Sequence, residues 1–290
     1  MIMGDMQEVY PLARDEAESI RLNAQHNMLV DIVGGPIDKS IPLENISSVA
    51  DVATGTGIWL LDAQAQLNAH TPSPTAIGTR TYHGFDISAA QFPPSSEKQG
   101  ISLSVHDILH PFPTEHHNRY DLVHVRMLVA ALKAEEYEVA VRNLVPILKP
   151  GGYLQWTDLD SSSLPSSPSF TDPRTRPIIT SWFKFFELNN LSTCPTTTLR
   201  SAYESSKLVD ISSTTYLVRG RDELKERAQV WEIQGFSAFM APVLMATGEV
   251  GSQKEAEKRA KEVIGGLQEY FYDDEVLDLR MGVIVGRKAV

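Results

Sequence analysis

A run of small residues follows the first apolar strand of this 290-residue chain and could bring the backbone close to a ligand. Asp51 is followed by Ala53, Gly55 and Gly57 at alternate positions, and a helical segment begins directly afterwards. Small residues permit close approach, and the first turn of a helix offers free N–H groups to an anion. The spacing is not that of Gly-x-Gly-x-x-Gly, because Leu60 stands three residues after Gly57, which disfavours a nicotinamide dinucleotide. A tight turn without a ligand is the alternative.

Acidic residues end two further apolar segments. Asp86 precedes Ile87, and Asp107 precedes Ile108. A carboxylate after the second strand of an open α/β sheet suits hydrogen bonds to ribose hydroxyls. Ligands of such sheets bind outside the carboxyl ends of the strands, so the turn and both acids are predicted to share one edge.

The first half of the chain alternates short apolar runs with helical patterns, which indicates βαβ units and a parallel sheet with right-handed crossovers. The predicted strands are 48–53, 81–85, 101–105, 120–125 and 153–157. The predicted helices are one capped by Asp15 and stopped by Gly34, and two over about 58–68 and 137–148. We therefore predict a Rossmann-like α/β fold.

The second half is richer in aromatic helices. After a Ser-, Pro- and Thr-rich stretch at 161–177, interpreted as a loop, we predict helices at 178–189, 199–208, 222–245 and 256–271 and strands at 209–218 and 281–285. The last strand needs a sheet to join, so these helices are predicted to form a cap inserted before it. The whole of 1–290 is then a single domain: 1–40 an N-terminal helix, 41–160 the core, and 161–290 the cap and final strands.

Composition excludes several classes of protein. The net charge of −11, from 37 acidic and 26 basic residues, argues against a nucleic-acid partner. No apolar run approaches the ~20 residues of a membrane span. The acidic start and the single cysteine predict a cytoplasmic protein without a signal peptide. Histidines at 106, 110, 116 and 117 match no common metal-site spacing, so no metal is predicted.

Taken together, these motifs resemble those of the class I S-adenosylmethionine-dependent methyltransferases. The resemblance covers about 48–157 and includes 120–123 and the turn at 148–154; Ala53 stands where the family motif has its first glycine. It implies a central, mostly parallel seven-stranded sheet, with S-adenosylmethionine as cofactor and S-adenosylhomocysteine as product. The implied cofactor contacts in the core are Asp51, Ala53, Thr54, Gly55, Gly57, Asp86 with Ile87, and Asp107 with Ile108.

A narrower resemblance is to fungal secondary-metabolite methyltransferases. It rests on segments 10–12, 21–26, 85–93 and 121–126. In such proteins the N-terminal helix is a lid over the cofactor, which makes Tyr10, Arg21 and Gln25 candidate contacts. The implied activity is methyl transfer to a small-molecule natural product, foremost at an aromatic or polyketide-like hydroxyl. A regulatory protein with a protein partner and a cyclase that keeps the cofactor without transferring methyl are the alternatives; monomer and homodimer both stay open.

Methyl transfer from a sulfonium depends on alignment of the reacting atoms, so a base is optional. His124 near the end of the fourth predicted strand, His26 on the N-terminal helix and Asp158 after the fifth strand are the candidates. A buried core histidine is the alternative for His124. Arg126 stays protonated, and could bind the cofactor carboxylate or a substrate anion. The fourth strand lacks Asn/Asp-Pro-Pro-aromatic, which disfavours methylation of a nucleobase amine.

Aromatic residues dominate the segment after the cofactor motifs. The candidates for an apolar substrate pocket are Trp156, Trp182, Phe186, Trp231 and Phe239. Aromatic residues at helical spacing are more often core, which is the alternative for each of them.

Overall fold

The computed structural model describes residues 12, 14–70, 80–94 and 99–290. Its strands are β1 Ser48–Val52, β2 Thr81–Asp86, β3 Ile101–Val105, β4 Tyr120–Arg126, β5 Leu148–Asp160, β6 Leu208–Leu217 and β7 Arg280–Lys288. Its helices are α1 Glu16–Val33, α2 Ile58–Ala69, α3 Glu136–Leu144, α4 Pro168–Thr171, α5 Arg176–Leu188, α6 Pro195–Ser205, α7 Asp222–Ala246 and α8 Gln253–Tyr272.

The seven strands form one sheet in the order β3-β2-β1-β4-β5-β7-β6. The pairs among β1 to β5 are parallel, whereas β7 runs antiparallel to both β5 and β6. The prediction of a mostly parallel seven-stranded sheet is confirmed. The chain order reverses direction between β1 and β4, and ligands of open α/β sheets bind at such a point.

Alternate residues of the central strands pack against opposite helical layers. Ala50 and Val52 belong to the cluster formed with α3 and α6, whereas Val49 belongs to the cluster formed with α2. A two-residue side-chain period therefore directs Asp51 towards α2. The same period directs Leu122 and His124 of β4 to the α2 side.

Helix α1 is defined at both ends by its sequence. The Asp15 side chain accepts a hydrogen bond from the Glu18 N–H at 2.9 Å, and Gly34 ends the helix with a φ of 86°. Its residues Met28, Leu29 and Ile32 are buried in the same cluster as α5, α7 and α8. Helix α1 therefore packs into the hydrophobic core that α5, α7 and α8 share.

The predicted cap before the last strand is confirmed as α7 and α8, which lie between β6 and β7. Several boundaries differ from the sequence prediction. Strand β5 extends over Leu148–Asp160 and so replaces the end of the predicted helix 137–148, the stretch interpreted as a loop contains α4, and α6 begins at Pro195. Strand β5 is long because β7 pairs along it as far as Asp160. No helix in the part of the chain that the structure describes is long and apolar enough to cross a membrane.

Candidate functional site

The turn between β1 and α2 has a left-handed backbone at three positions. Ala53, Gly55 and Gly57 have φ values of 60°, 54° and 75°. Glycine adopts this region freely, whereas an alanine there is strained by its Cβ. Thr54 closes the turn, since its N–H donates to Phe85 O at 2.9 Å and its hydroxyl donates to Asp51 at 2.7 Å.

Gly84 leaves room for this turn. A Cβ at Gly84 would lie 2.8 Å from Thr54 Cγ2 and 2.5 Å from Leu103 Cδ2. Only glycine therefore lets β2 pass beneath Thr54, two residues before Asp86.

Asp86 ties the second strand to the glycine turn. Its Oδ2 accepts a hydrogen bond from the Gly55 N–H at 2.9 Å, and its Oδ1 accepts one from Ser88 at 3.1 Å. Burial raises the pKa of Asp86, although both backbone hydrogen bonds and the Arg14 charge oppose the rise. Each carboxylate oxygen has a second lone pair for a ligand hydroxyl.

A cleft of about 460 Å³ opens at the carboxyl ends of β1, β2, β3 and β4. The sequence-predicted residues that line it are Gln25, Ala53, Thr54, Gly55, Asp86, Ile87, Asp107, Ile108 and Arg126. The lining residues that the sequence analysis did not single out as contacts include Arg14, Leu22, Gln91, His106, Leu109, Met127 and Leu132. The strand-end rule thus located the cleft but not the walls supplied by α1 and by the loop after β4.

Asp51 and His124 form a buried pair behind the turn. His124 Nδ1 lies 2.7 Å from Asp51 Oδ1, and both side chains are 1% exposed. The imidazole stacks on Trp59 with ring centroids 3.7 Å apart, and burial lowers the pKa of His124 to about 4. Neither residue lines the cleft, because their strand period directs them towards α2. The structure therefore does not bring His124 to a reacting group, and Asp51 supports the turn from behind.

His26 links α1 to β4 through one ring nitrogen and to α2 through the other. Arg126 Nη1 lies 2.8 Å from His26 Nδ1, and since arginine only donates, Nδ1 accepts. The proton is then on Nε2, which lies 2.8 Å from Asp62 Oδ2 and donates to it. Burial and the Arg126 charge lower the pKa of His26. Both nitrogens are occupied, so the geometry does not present His26 as a base to a substrate.

Asp158 holds the loop that follows β4. Its carboxylate accepts hydrogen bonds from the N–H groups of Leu128, Val129 and Leu159 and from Trp156 Nε1, at 3.0 to 3.2 Å. Burial raises the pKa of Asp158 to about 7. Asp158 is 1% exposed and lines neither pocket, so its position indicates a supporting role.

A smaller cavity of about 90 Å³ lies beside the cleft, and we call it the aromatic pocket. Its walls include Trp182, Trp231 and Phe239 of the predicted set, together with Phe236. Leu22, Gln25 and Met127 line both cavities, so the two share one boundary. Met127 has a φ of 57°, an unfavourable conformation that is typical of functional sites.

Three other predicted positions lie outside these two cavities. Trp156 is completely buried against Tyr137, since its strand period directs it to the α3 layer. Phe186 lies behind Trp182, with ring centroids 4.5 Å apart, and is 1% exposed. Gly57 shapes the turn without lining the cleft.

The two remaining predicted cofactor contacts belong to the N-terminal region. Arg21 lines the aromatic pocket rather than the cleft, and its guanidinium binds Glu18 and Gln25. Tyr10 lies outside the described residues.

Comparison with known proteins agrees with this geometry. Residues 32–209 match the model of a methyltransferase-domain family. The methyltransferase grgD of a Penicillium species is 34% identical over 258 residues, which cover 86% of this chain and 87% of the relative. The N-methyltransferase gliN of Aspergillus fumigatus is 31% identical over 159 residues, and the match spans about half of each protein, 54% and 52%.

A solved structure supports the fold alone. Haemonchus contortus phosphoethanolamine N-methyltransferase 2, in complex with phosphomonomethylethanolamine and S-adenosylhomocysteine, superposes with a TM-score of 0.51 at 13% identity. The match covers 92% of this chain and 53% of that one. With the family match and the near full-length fungal relative, the chain belongs to the S-adenosylmethionine-dependent methyltransferase family and resembles its fungal secondary-metabolite members.

Proposed function

We propose that this protein methylates a small-molecule natural product, with an aromatic or polyketide-like hydroxyl as the acceptor. The observation that carries the proposal is the shared boundary of the two cavities at Leu22, Gln25 and Met127. A cofactor in the cleft and a substrate in the aromatic pocket would meet there. The apolar lining of the second cavity favours an enzyme over the regulatory alternative, which predicts a polar groove.

The cleft residues fit S-adenosylmethionine by their chemistry. Asp86 would accept hydrogen bonds from the ribose hydroxyls, and Asp107 from the adenine amine, with Ile87 and Ile108 against the ring system. The cleft volume of about 460 Å³ lies within the usual range of ligand sites. These assignments account for both strand-end carboxylates.

Arg126 would hold the carboxylate of the cofactor. It lines the cleft, and no carboxylate of the described residues lies within ion-pair distance of it. Its guanidinium donates a hydrogen bond to the neutral His26, so its charge is left for an anion. His26 would thereby orient the guanidinium from α1.

The bound cofactor supplies an activated methyl group on a sulfonium. The protein's contribution is to hold the acceptor in line with that group and to exclude water, and such alignment lowers a barrier by up to ~7–11 kcal/mol. Gln25 and Leu22 of α1 and Met127 after β4 would set the acceptor's approach. Because His124, His26 and Asp158 are all engaged within the protein, alignment carries the proposed mechanism.

Nitrogen is a second candidate acceptor. Besides gliN, the N-methyltransferase sirN of Leptosphaeria maculans is 34% identical over 150 residues, about half of each chain. An N–H acceptor would occupy the same aromatic pocket and approach the methyl group across the same boundary.

The test is a transfer assay with S-adenosylmethionine carrying a labelled methyl group and fractionated small molecules from fungal cultures. We expect label in a small-molecule product, and tandem mass spectrometry and NMR of that product would identify the methylated atom. The Asp86→Asn variant, weakened in cofactor binding, is the negative control. Tight cofactor binding without label in any small molecule would contradict the proposal.

A further inference from the structure

The aromatic pocket contains one buried acid, Glu232 of α7. It is 2% exposed and lines the pocket with Trp231 and Phe236 of the same helix. The Leu277 N–H donates to Glu232 Oε2 at 3.3 Å. Glu232 Oε1 has no hydrogen-bond partner within the described ranges. A carboxyl group in an apolar cavity thus has one oxygen left for a ligand.

Burying an oxygen atom without a hydrogen-bond partner destabilises the folded state. Burial raises the pKa of Glu232 to about 8, and the Leu277 N–H and the Arg219 charge only partly oppose this rise. Because a buried acceptor without a partner is destabilising, a structural role alone would favour an apolar residue at this position. Buried, perturbed acids in cavities are typical of binding and catalytic sites.

Aromatic rings surround the same cavity. Trp182 lies edge-on to Phe236 and to Phe239, each with ring centroids 5.7 Å apart, and Trp231 adds a fourth ring to the lining. Aromatic faces attract organic cations, particularly where water is excluded. A carboxylate among such rings matches an ammonium group, which pairs its charge and donates hydrogen bonds.

Arg21 is the basic residue among those that line the aromatic pocket, and its charge is directed elsewhere. Arg21 Nη2 forms an ion pair with Glu18 at 2.7 Å, and Nη1 donates to Gln25 at 2.7 Å. Its side chain is 12% exposed and Glu18 is 7% exposed, so this pair is itself shielded from water. Glu232 is therefore left to neutralise a cation that enters the cavity.

We infer that Glu232 and the rings of Trp182, Trp231, Phe236 and Phe239 form a subsite for a basic amine carried by the substrate. When the amine binds, Glu232 releases the proton that burial retains on it, and its Oε1 then accepts a hydrogen bond from the ammonium group while the rings cover the carbon atoms of the amine. The inference rests on the proposed function, because it names the substrate class of the same pocket, and it holds whether oxygen or nitrogen receives the methyl group.

Binding of a matched pair of probes tests the subsite without turnover. Phenethylamine and 2-phenylethanol share one carbon skeleton and differ in their ammonium and hydroxyl groups. We would titrate each into the full chain saturated with S-adenosylhomocysteine and follow tryptophan fluorescence and ligand-observed NMR. The wild-type protein should bind the amine about tenfold more tightly than the alcohol. Equal affinities would overturn the inference without any variant.

Two variants test whether Glu232 causes the preference for the amine over the alcohol. Glu232→Gln keeps the size of the side chain and removes its charge, so the preference for the amine should disappear. Glu226→Gln makes the same change on an exposed part of α7 and should preserve the preference. A preference that survives Glu232→Gln would also overturn the inference. Thermal melting establishes that both variants fold.

Different measurements would contradict the proposed methyl transfer and the proposed amine subsite. If the wild-type protein transfers labelled methyl but binds the amine and the alcohol equally, the subsite alone is refuted. Absence of transfer with an intact amine preference would refute the proposed function and leave Glu232 as a binding residue.

Discussion

His124 Nδ1 lies 2.7 Å from Asp51 Oδ1, and this contact joins β4 to β1 directly behind the glycine turn. Asp51 also accepts a hydrogen bond from the Thr54 hydroxyl at 2.7 Å. Thr54 lines the cleft, whereas the Asp51–His124 pair does not. The pair therefore acts on ligand binding through the turn that it supports.

Replacing His124 should affect stability more than turnover. His124→Ala leaves the buried Asp51 carboxylate without one donor and opens a cavity beside Trp59, so unfolding should become easier by about 1–3 kcal/mol. Urea denaturation measures this loss, and kcat at saturating cofactor should stay within about threefold of wild type. The exposed His70 provides the control variant His70→Ala. A large fall in kcat at unchanged stability would instead make His124 a base.

Asp86 should control cofactor affinity. Asp86→Asn keeps one acceptor for the Gly55 N–H but loses the charge that would bind two ribose hydroxyls, an effect worth about 1.5–3 kcal/mol. Calorimetry with S-adenosylhomocysteine should show a dissociation constant about 10–100 times higher. Glu44→Gln, on an exposed site of the same core, should leave it unchanged. If both variants bind alike, the ribose lies elsewhere.

Ala53 should tolerate glycine and reject a branched side chain. A residue with a Cβ is strained at the φ of 60° found here, so Ala53→Gly relieves that strain. The same change increases the conformational entropy of the unfolded chain, so the net change in the free energy of unfolding should stay within about 1 kcal/mol. Ala53→Val should lower both melting temperature and cofactor affinity, because a β-branched residue is a stronger outlier there. Ala69→Val, at an exposed helical position, measures the ordinary cost of valine. Equal effects at 53 and 69 would contradict a strained turn.

Replacing Gly235 should increase the stability of α7 and weaken substrate binding. A Cβ at Gly235 meets no atom within 4 Å, and the residue lines the aromatic pocket within α7. Gly235→Ala should stabilise the helix by about 0.5–1 kcal/mol and raise KM for the acceptor by narrowing the pocket. Gly265→Ala, equally free of contacts but on α8, should give only the stabilisation. Unchanged KM in the first variant would place the substrate outside this pocket.

Stability should decrease as pH rises towards 8, because of Glu232. Its folded pKa of about 8 lies above its ordinary value, so the folded state retains a proton that the unfolded chain has lost. Its contribution is complete below the unfolded pKa and is lost as pH rises through the folded pKa. Between pH 5 and 8, wild type should lose roughly 2–4 kcal/mol more than Glu232→Gln in urea denaturation.

Two other buried groups titrate in both proteins and cancel in that comparison. Asp158, with a pKa of about 7, also lowers stability as pH rises. His124, with a pKa of about 4, lowers stability as pH falls below the ordinary histidine pKa of 6.5, because the unfolded chain then binds a proton that the folded state does not. Parallel pH profiles for wild type and Glu232→Gln would show that Glu232 ionises normally.

Local sequence patterns suffice to predict the sheet and the edge at which the cleft lies. Asp86 is the last residue of β2 and Asp107 lies two residues beyond β3. Because the carboxyl ends of parallel strands share one edge, local patterns sufficed to place the two acids together. The glycine turn and the capped start of α1 are likewise local, since each depends on residues within a few positions of one another.

Tertiary packing determines which helical layer each strand side chain contacts and which residues distant in sequence lie together. The sequence makes His124 a candidate because it stands near a strand end, and Trp156 because it is aromatic and follows the cofactor motifs. The helical layer that covers each face directs them instead into packing with α2 and α3. Glu232 carried no sequence signal, since its setting depends on α1, α5 and the segment before β7 converging on α7. Such long-range packing depends on the total burial of many apolar surfaces, and no short pattern in the chain encodes it.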